Sequence, residues 1–307
     1  MTRSSRMKIG ATTAASPAST GMCSTNNMGP VLVTGGTGML GRSWAALLES
    51  GGIDHVVTTR EQFDLSRPDM IDDVIGERFT HVINCAAWTD VDGAESDPDG
   101  ANLANGTTVG ALARRCAQTD AMLVHYSTDY VFNGQACEPY TVDAPHDPIN
   151  VYGQSKSLGE RLIAESGCSH LLIRTSWVYA PWGRNFVITI AGAARQRERL
   201  QVVDDQLGRP TSTEHLANAT QRLIQARAAG VYHVTDGGQC TWFDFATYIA
   251  GAVNPACRVE PCASSAWVRP APRPAYSVLD ISATQTLIGP MPPWEANVDA
   301  VLAGIDA

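Results

Sequence analysis

The chain has 307 residues, 44% of them hydrophobic, and a formal net charge of -9. That length and apolar content suit a large core, as one domain or two closely joined. The acidic balance, with no dense Lys/Arg run, argues against a nucleic-acid footprint, and no apolar run is long enough to span a bilayer. The eight cysteines are scattered without zinc-type spacing; they read as buried free thiols of a cytoplasmic protein, with no metal site.

Residues 1–29 are rich in Ser, Thr, Ala and Gly and carry Arg3, Arg6 and Lys8 but no acid. They lack the apolar block of a secretory signal and read as a disordered tail. The stretch VLVTGGTGMLG, Val31 to Gly41, then sets an apolar run before a turn with Gly35, Gly38 and Gly41 and a helical pattern through Trp44, Leu47 and Leu48. Gly35 allows a tight turn, Gly38 lets backbone approach a pyrophosphate, and Gly41 lets the helix pack on the sheet. N–H groups at the helix start would face the phosphates.

His55 to Thr59 reads as a second strand, ending in Arg60 with no acid where an adenosine ribose would lie. An arginine there suits a 2′-phosphate and points to NADPH, with NADH still accepted. Asp64 would reach the adenine or cap the helix near Pro68. His81 to Ala87 reads as a third strand, Leu103 to Ala117 as a helix, Met122 to Ser127 as a fourth strand, Leu171 to Thr175 as a fifth, and Val231 to Val234 as the last. Alternation of this kind predicts a Rossmann-type α/β fold, a doubly wound parallel sheet. The domain expected is 30–175, completed by about 213–236. The Trp- and Pro-rich pieces 176–212 and 237–307 would form a smaller substrate-binding lobe.

Tyr152 and Lys156 are four apart, so a helix puts them on one face. A phenol titrates near 10, and a neighbouring ammonium would lower that value. Such a tyrosine can donate a proton to a carbonyl oxygen as hydride reaches the carbon. Thr128, at a strand end, can bond the same oxygen. Each feature alone has a bland reading as turn, cap or chance pair; their order along the chain is what makes the set specific.

The stretches TGGTGMLG, NCAAWTDVDGAE, STDYVFNG, VYGQSKSLGE, RTSWVY, VVDDQLGRPTS and GVYHVTD together resemble the dTDP-4-dehydrorhamnose reductase family of extended short-chain dehydrogenases, over about Val31 to Leu302. The resemblance implies that Thr128, Tyr152 and Lys156 are the catalytic set. Gly35, Thr37, Gly38, Met39, Leu40, Asp64, Leu65, Cys85, Ala86, Ala87 and Thr89 would line the cofactor with Tyr152 and Lys156; Arg60, assigned from the second strand above, departs from the family pattern. Val91, Trp177, Asp129 and the loop carrying Gln206, Arg209, Pro210 and Thr211 would face the sugar nucleotide, a dTDP-4-keto-6-deoxyhexose. Members reduce the C4 ketone of dTDP-4-dehydro-L-rhamnose; a relative makes dTDP-L-dihydrostreptose from the same ketosugar. Trp88 stands where many members have Tyr or His. Ser43 stands where some have a Glu that joins a Mg²⁺ site at a dimer interface, so a monomer or weak homodimer is expected. A dehydratase would follow the threonine with Asp-Glu, whereas here Asp129 precedes Tyr130. A 4-epimerase on this scaffold, and a non-catalytic NADP-binding regulatory subunit like that of methionine adenosyltransferase, are the other readings.

Overall fold

The computed structural model describes residues 28–305. Five strands, β1 (Val31–Thr34), β2 (His55–Val57), β3 (His81–Asn84), β4 (Met122–Thr128) and β5 (His170–Thr175), join Gly230–His233 in a six-stranded parallel sheet. The order is Gly230–His233, β5, β4, β3, β1, β2. Helices cover both faces, so the strands are continuous apolar runs; all four residues of β1 are buried. The order reverses between β1 and β3, and a ligand crevice belongs at their carboxyl ends.

One core cluster joins Trp44 and Leu48 of helix α1 (Met39–Ser50) to Leu216 and Leu223 of helix Thr213–Gln225. A second, on the opposite face, gathers Val109, Leu112, Cys116 and Ile163. The third lies apart, with Tyr179, Val187, Phe245, Ile249, Trp294 and Val298. Trp44 donates its indole N–H to the Tyr126 hydroxyl at 2.7 Å, which donates to Thr220 at 3.1 Å, so the first core carries a satisfied polar thread.

Several boundaries differ from the sequence reading. Met28 is 6% exposed and packs in the first core, so the ordered body begins before residue 30; residues 1–27 lie outside the described ones. β2 ends at Val57, although Thr58 N still donates to Val33 O at 2.9 Å. β3 stops at Asn84, where the chain leaves the sheet at the switch point. The helix expected from Leu103 opens with a π turn, Leu103–Thr107, before Thr108–Gln118. The extra residue frees Asn105, whose amide holds both the backbone N–H and C=O of Trp88 at 2.9 Å. Such π turns recur at functional sites.

Helix Val151–Glu165 lies against that π turn. A Cβ at Gly159 would collide with the Asn105 carbonyl, so the close approach requires glycine. The helix is fixed to the sheet by Glu160, which accepts from Arg174 of β5 at 2.8 Å and from Ser127 of β4 at 2.5 Å, with both members of the ion pair buried. Burial raises the carboxyl, but bonds from His146 and Arg174 more than offset it and hold Glu160 down at about 2. Glu160→Gln should therefore leave Arg174 buried without its counter-charge and cost about 3–5 kcal/mol. Urea unfolding of the two proteins checks this, and a loss near zero would contradict it.

Candidate active site

At the end of β1 the chain turns through Gly35, at φ +68, where a Cβ would sit 2.6 Å from Ala86 N. Only glycine combines that conformation with that approach. Gly36, which the sequence reading passed over, donates to Thr58 O at 2.9 Å and lies too close to Val57 for a side chain. A Cβ on Gly41 would meet the Gly35 carbonyl. Gly41 thus closes the turn on itself, a tighter role than the expected helix–sheet packing. Thr37 and Gly38 are exposed, and α1 begins with no side-chain cap and no acid in its first turn. Its first N–H groups, on Met39 and Leu40, form an open positive end that fits a dinucleotide pyrophosphate.

Beyond β3, Cys85 and Ala86 are half-buried and Ala87 and Thr89 exposed, on the strand-end side of that turn. Burial pushes the Cys85 thiol far above its ordinary value. Past β2, Arg60 is exposed and its Nε donates to Asp64 at 3.1 Å. Asp64 also accepts from Ser66 N at 2.9 Å, which, with Arg60, holds it below the usual carboxylate range. Leu65 has its side chain in the core at 6% exposure, and its carbonyl accepts from Thr108 at 2.7 Å.

Thr128 ends β4, and Tyr152 and Lys156 stand on the helix whose N-cap is Asn150. The Asn150 side chain accepts from Gly153 N at 2.8 Å and donates to Pro272 O at 2.9 Å, tying the helix start to the C-terminal segment. The Tyr152 ring meets Tyr130 edge-on at 5.8 Å. Desolvation pushes the phenol up to about 12, against a smaller lowering by the Thr128 hydroxyl. This corrects the expectation that Lys156 lowers it. The lysine is 2% exposed and its Nζ is turned away, donating to Tyr126 O at 2.6 Å and lying 3.3 Å from His125 Nε2. Burial brings Lys156 itself down to about 8.

Thr128 donates to Asp129 Oδ1 at 2.9 Å and accepts from Tyr130 N at 3.2 Å. Asp129 is 2% exposed and its Oδ2 has no hydrogen-bond partner. Burial raises its carboxyl to about 6, although Ser277 and Thr128 lower it.

On the other side of the crevice, Val91 opens a short helix capped by Asp90, and the Trp88 indole donates to Asp90 O at 2.9 Å. Trp177 sits at φ +47 with its ring stacked 3.6 Å on Trp242 and packed against Gly208. Gln206 is half-buried. Arg209 has its Nε buried without a partner, and its carbonyl accepts from Ser176 at 2.6 Å. Pro210 and Thr211 are buried and backbone-bonded to Asp236 and Trp177, so they support the loop from beneath. Ser43 donates to Thr213 at 2.8 Å, joining two helices. Among the described residues no group of three or more His, Cys, Asp or Glu is placed to hold a metal ion.

Sequence reasoning missed Asn84, Asn105, His125 and Asn150, all buried. The signal was a polar residue in an apolar strand, just before a helix or, for Asn105, within one. It said that something was bonded there and could not say to what.

Asp129 makes a pH signature. Its folded value exceeds the ordinary 3.8, so stability falls as pH rises between 3.8 and about 6 and the cost is complete above that. Asp129→Asn should stabilise the cofactor-free protein at pH near 7.5 by up to about 3 kcal/mol. The gain should vanish below pH 4, roughly the unfolded-state value. Melting curves across that range test it; a pH-independent difference would refute the burial argument.

The family model described as "RmlD substrate binding domain" matches residues 28–306. A dTDP-4-dehydrorhamnose reductase of Burkholderia thailandensis is 39% identical, aligned over 87% of this chain and 96% of the relative. A dTDP-4-keto-6-deoxy-D-glucose reductase of Streptomyces niveus is also 39% identical, over 81% of this chain and 87% of its own. The crystal structure of dTDP-4-dehydrorhamnose reductase from Bacillus anthracis in complex with NADP has a TM-score of 0.86 at 33% identity. It covers 90% of this chain and 99% of that one.

Proposed function

The chain belongs to the family of the RmlD substrate binding domain, and from that premise we propose that it reduces the C4 ketone of dTDP-4-dehydro-L-rhamnose to dTDP-L-rhamnose with NADPH. The observation that carries the reading is Tyr152, Thr128 and Lys156 at the carboxyl end of β4, two strands from the uncapped glycine turn that follows β1. NADPH, when bound, supplies the hydride. Tyr152 serves as the acid: with its phenol up near 12 it rests protonated, and an alkoxide forming on the substrate is the stronger base. Lys156, one turn along the same helix, is the group assigned to return a proton to the phenolate left behind. Thr128, whose hydroxyl donates to Asp129 here, would turn that O–H to the carbonyl oxygen when the ketosugar is bound. Arg209, with its unpartnered Nε, suits an anionic group of the nucleotide.

We assign 30–175 with 213–236 to the cofactor and 176–212 with 237–307 to the sugar nucleotide; the separate third core supports this division, while Ile281, Ile288 and Met291 of the second part pack in the first core. We take the working species to be a monomer or weak homodimer in a reducing cytoplasm. In support, the cysteines among the described residues are free thiols and Ser43 is spent on Thr213. No described helix is long and apolar enough to cross a membrane.

The test is to mix the purified chain with NADPH and the ketosugar, follow NADPH absorbance, and identify the product by NMR. Loss of NADPH with formation of dTDP-L-rhamnose is expected; no consumption would refute the reading. Tyr152→Phe removes one proton and keeps the ring, so kcat should fall about 10²–10⁴-fold with NADPH affinity nearly unchanged. A variant keeping more than half of the activity would end the acid assignment.

Cofactor preference is expected to run through Arg60. It stands past β2 with Thr58 and Thr59 before it and no acid. Its pairing with Asp64 leaves the guanidinium exposed at 82%, so a 2′-phosphate contact contributes only about 1 kcal/mol, roughly five-fold. The kcat/KM ratio for NADPH over NADH should drop by that factor in Arg60→Ala. An unchanged ratio would assign the preference elsewhere.

A further inference from the structure

Beneath the site runs a buried line of hydrogen bonds that the reduction itself does not require. Thr34 Oγ1 lies 2.6 Å from Asn84 Oδ1, Asn84 Nδ2 3.0 Å from His125 Nδ1, and His125 Nε2 3.3 Å from Lys156 Nζ. All four side chains are at most 2% exposed. The line crosses three neighbouring strands, β1, β3 and β4, and ends on the helix of Tyr152. Its far end, Thr34, immediately precedes Gly35 of the cofactor turn.

Counting donors shows what this geometry demands. Desolvation, then the charge of Lys156, keeps the His125 ring neutral. A neutral imidazole has one N–H and one bare nitrogen. With Asn84 donating to Nδ1, the ring proton sits on Nε2 and faces Lys156. An N–H cannot face an ammonium, so this arrangement is satisfied only by the uncharged amine. With the Asn84 amide turned over, Nδ1–H donates to its oxygen, its NH₂ donates to Thr34, and bare Nε2 accepts from the ammonium. The first keeps the Thr34 hydroxyl bonded to Asn84 Oδ1 and requires the uncharged amine; the second gives up that bond and admits the ammonium, so the charge on Lys156 decides between them. The ring holds one proton in each; only its place changes.

We infer that His125, held by Asn84 and Thr34, is a positioning residue that couples the charge on Lys156 to the hydrogen bonds at the end of β1. The inference rests on the role of Lys156 given above. The other groups around the pair are already engaged. Glu160 is bonded to Arg174, Ser127 and His146; the Tyr126 hydroxyl is held by Trp44 and Thr220; the Cys85 thiol is kept protonated by burial; and Asp129 and Tyr152 face Thr128 at the mouth. His125 is thus the neutral partner free to respond when Lys156 gains or loses a proton.

The test uses the full chain with ¹⁵N-labelled histidine, without ketosugar. His125 is assigned from His125→Gln. Between about pH 6 and 10 the protonated and bare ring-nitrogen signals of His125 should exchange places, with a midpoint tracking Lys156, near the value of about 8 that burial gives it. The ring should never become imidazolium, and the exchange should be absent in Lys156→Met. One fixed tautomer across the range, titration to imidazolium, or an exchange that survives Lys156→Met would overturn the inference. A second arm reads kcat against pH. His125→Phe removes the acceptor for the ammonium, so the basic limb should move to lower pH, with His125→Gln restoring it and KM for the ketosugar little changed. A limb that stays in place while kcat and KM fall together would mean a merely structural role and overturn the inference. If the ring nitrogens exchange but the chain does not consume NADPH with the ketosugar, the functional reading fails and the coupling stands.

Discussion

A lysine amine at 2% exposure is the constraint around which this site is built. Removing an ammonium from water is costly unless its N–H groups are bonded. Lys156 has the Tyr126 carbonyl and the His125 ring for this, both on β4. To reach them the helix must lie close to the sheet, and Gly159 lets its other side close on the Asn105 carbonyl of the π turn. The Glu160–Arg174 pair one turn further fixes the same helix to β5. Tyr152 inherits its place from these contacts, because it shares a rigid helix with Lys156 and its own hydroxyl is held by far less.

The sequence was legible wherever function depends on local geometry. A strand followed by GGTGMLG specifies a tight turn and an open helix start, and the structure has both. Four-residue spacing placed Tyr152 and Lys156 on one helix. What the spacing could not reveal is the direction of the lysine. Its partner His125 is 31 residues away, and His125 finds Asn84 a further 41 away, on a strand that neighbours it only in the folded sheet. The phenol shows the same limit from the other side. The pattern predicts a charge lowering it, while the folded environment raises it through desolvation, an effect of everything packed around the ring. Met28 fell in a polar stretch and reads as tail, yet the body of the protein offers it a core to enter.

Trp177 illustrates how the loops acquire order that no periodicity announces. Its backbone is in the left-handed region, which costs a bulky residue of order 1 kcal/mol or more. The stack on Trp242, the flat face presented by Gly208 and the bond from Thr211 N to the Trp177 carbonyl hold it there. Trp242 in turn packs on Phe186 and Phe245, and Phe245 on Trp294. An aromatic run through the third core thereby carries a strained residue at the edge of the crevice.

That arrangement bears on what selects the sugar. Relatives named for reducing dTDP-4-dehydrorhamnose and dTDP-4-keto-6-deoxy-D-glucose stand at the same 39% identity to this chain. A proton donor and a second hydroxyl donor for a C4 ketone serve either compound equally, so the groups at the end of β4 provide little discrimination. Discrimination between ketosugars is a difference in transition-state contacts with the remaining substituents. On the proposed reading those contacts fall to Trp88, Val91, Trp177 and the loop from Gln206 to Arg209. Of these, Trp88 is fixed through its backbone by Asn105 and Trp177 through its ring by Trp242. Both are therefore rigid walls, and a wall that cannot yield rejects a misfitting substituent more strongly than a mobile one. Specificity then depends on residues remote from the sugar, in the π turn and the third core, which hold those two indoles in place.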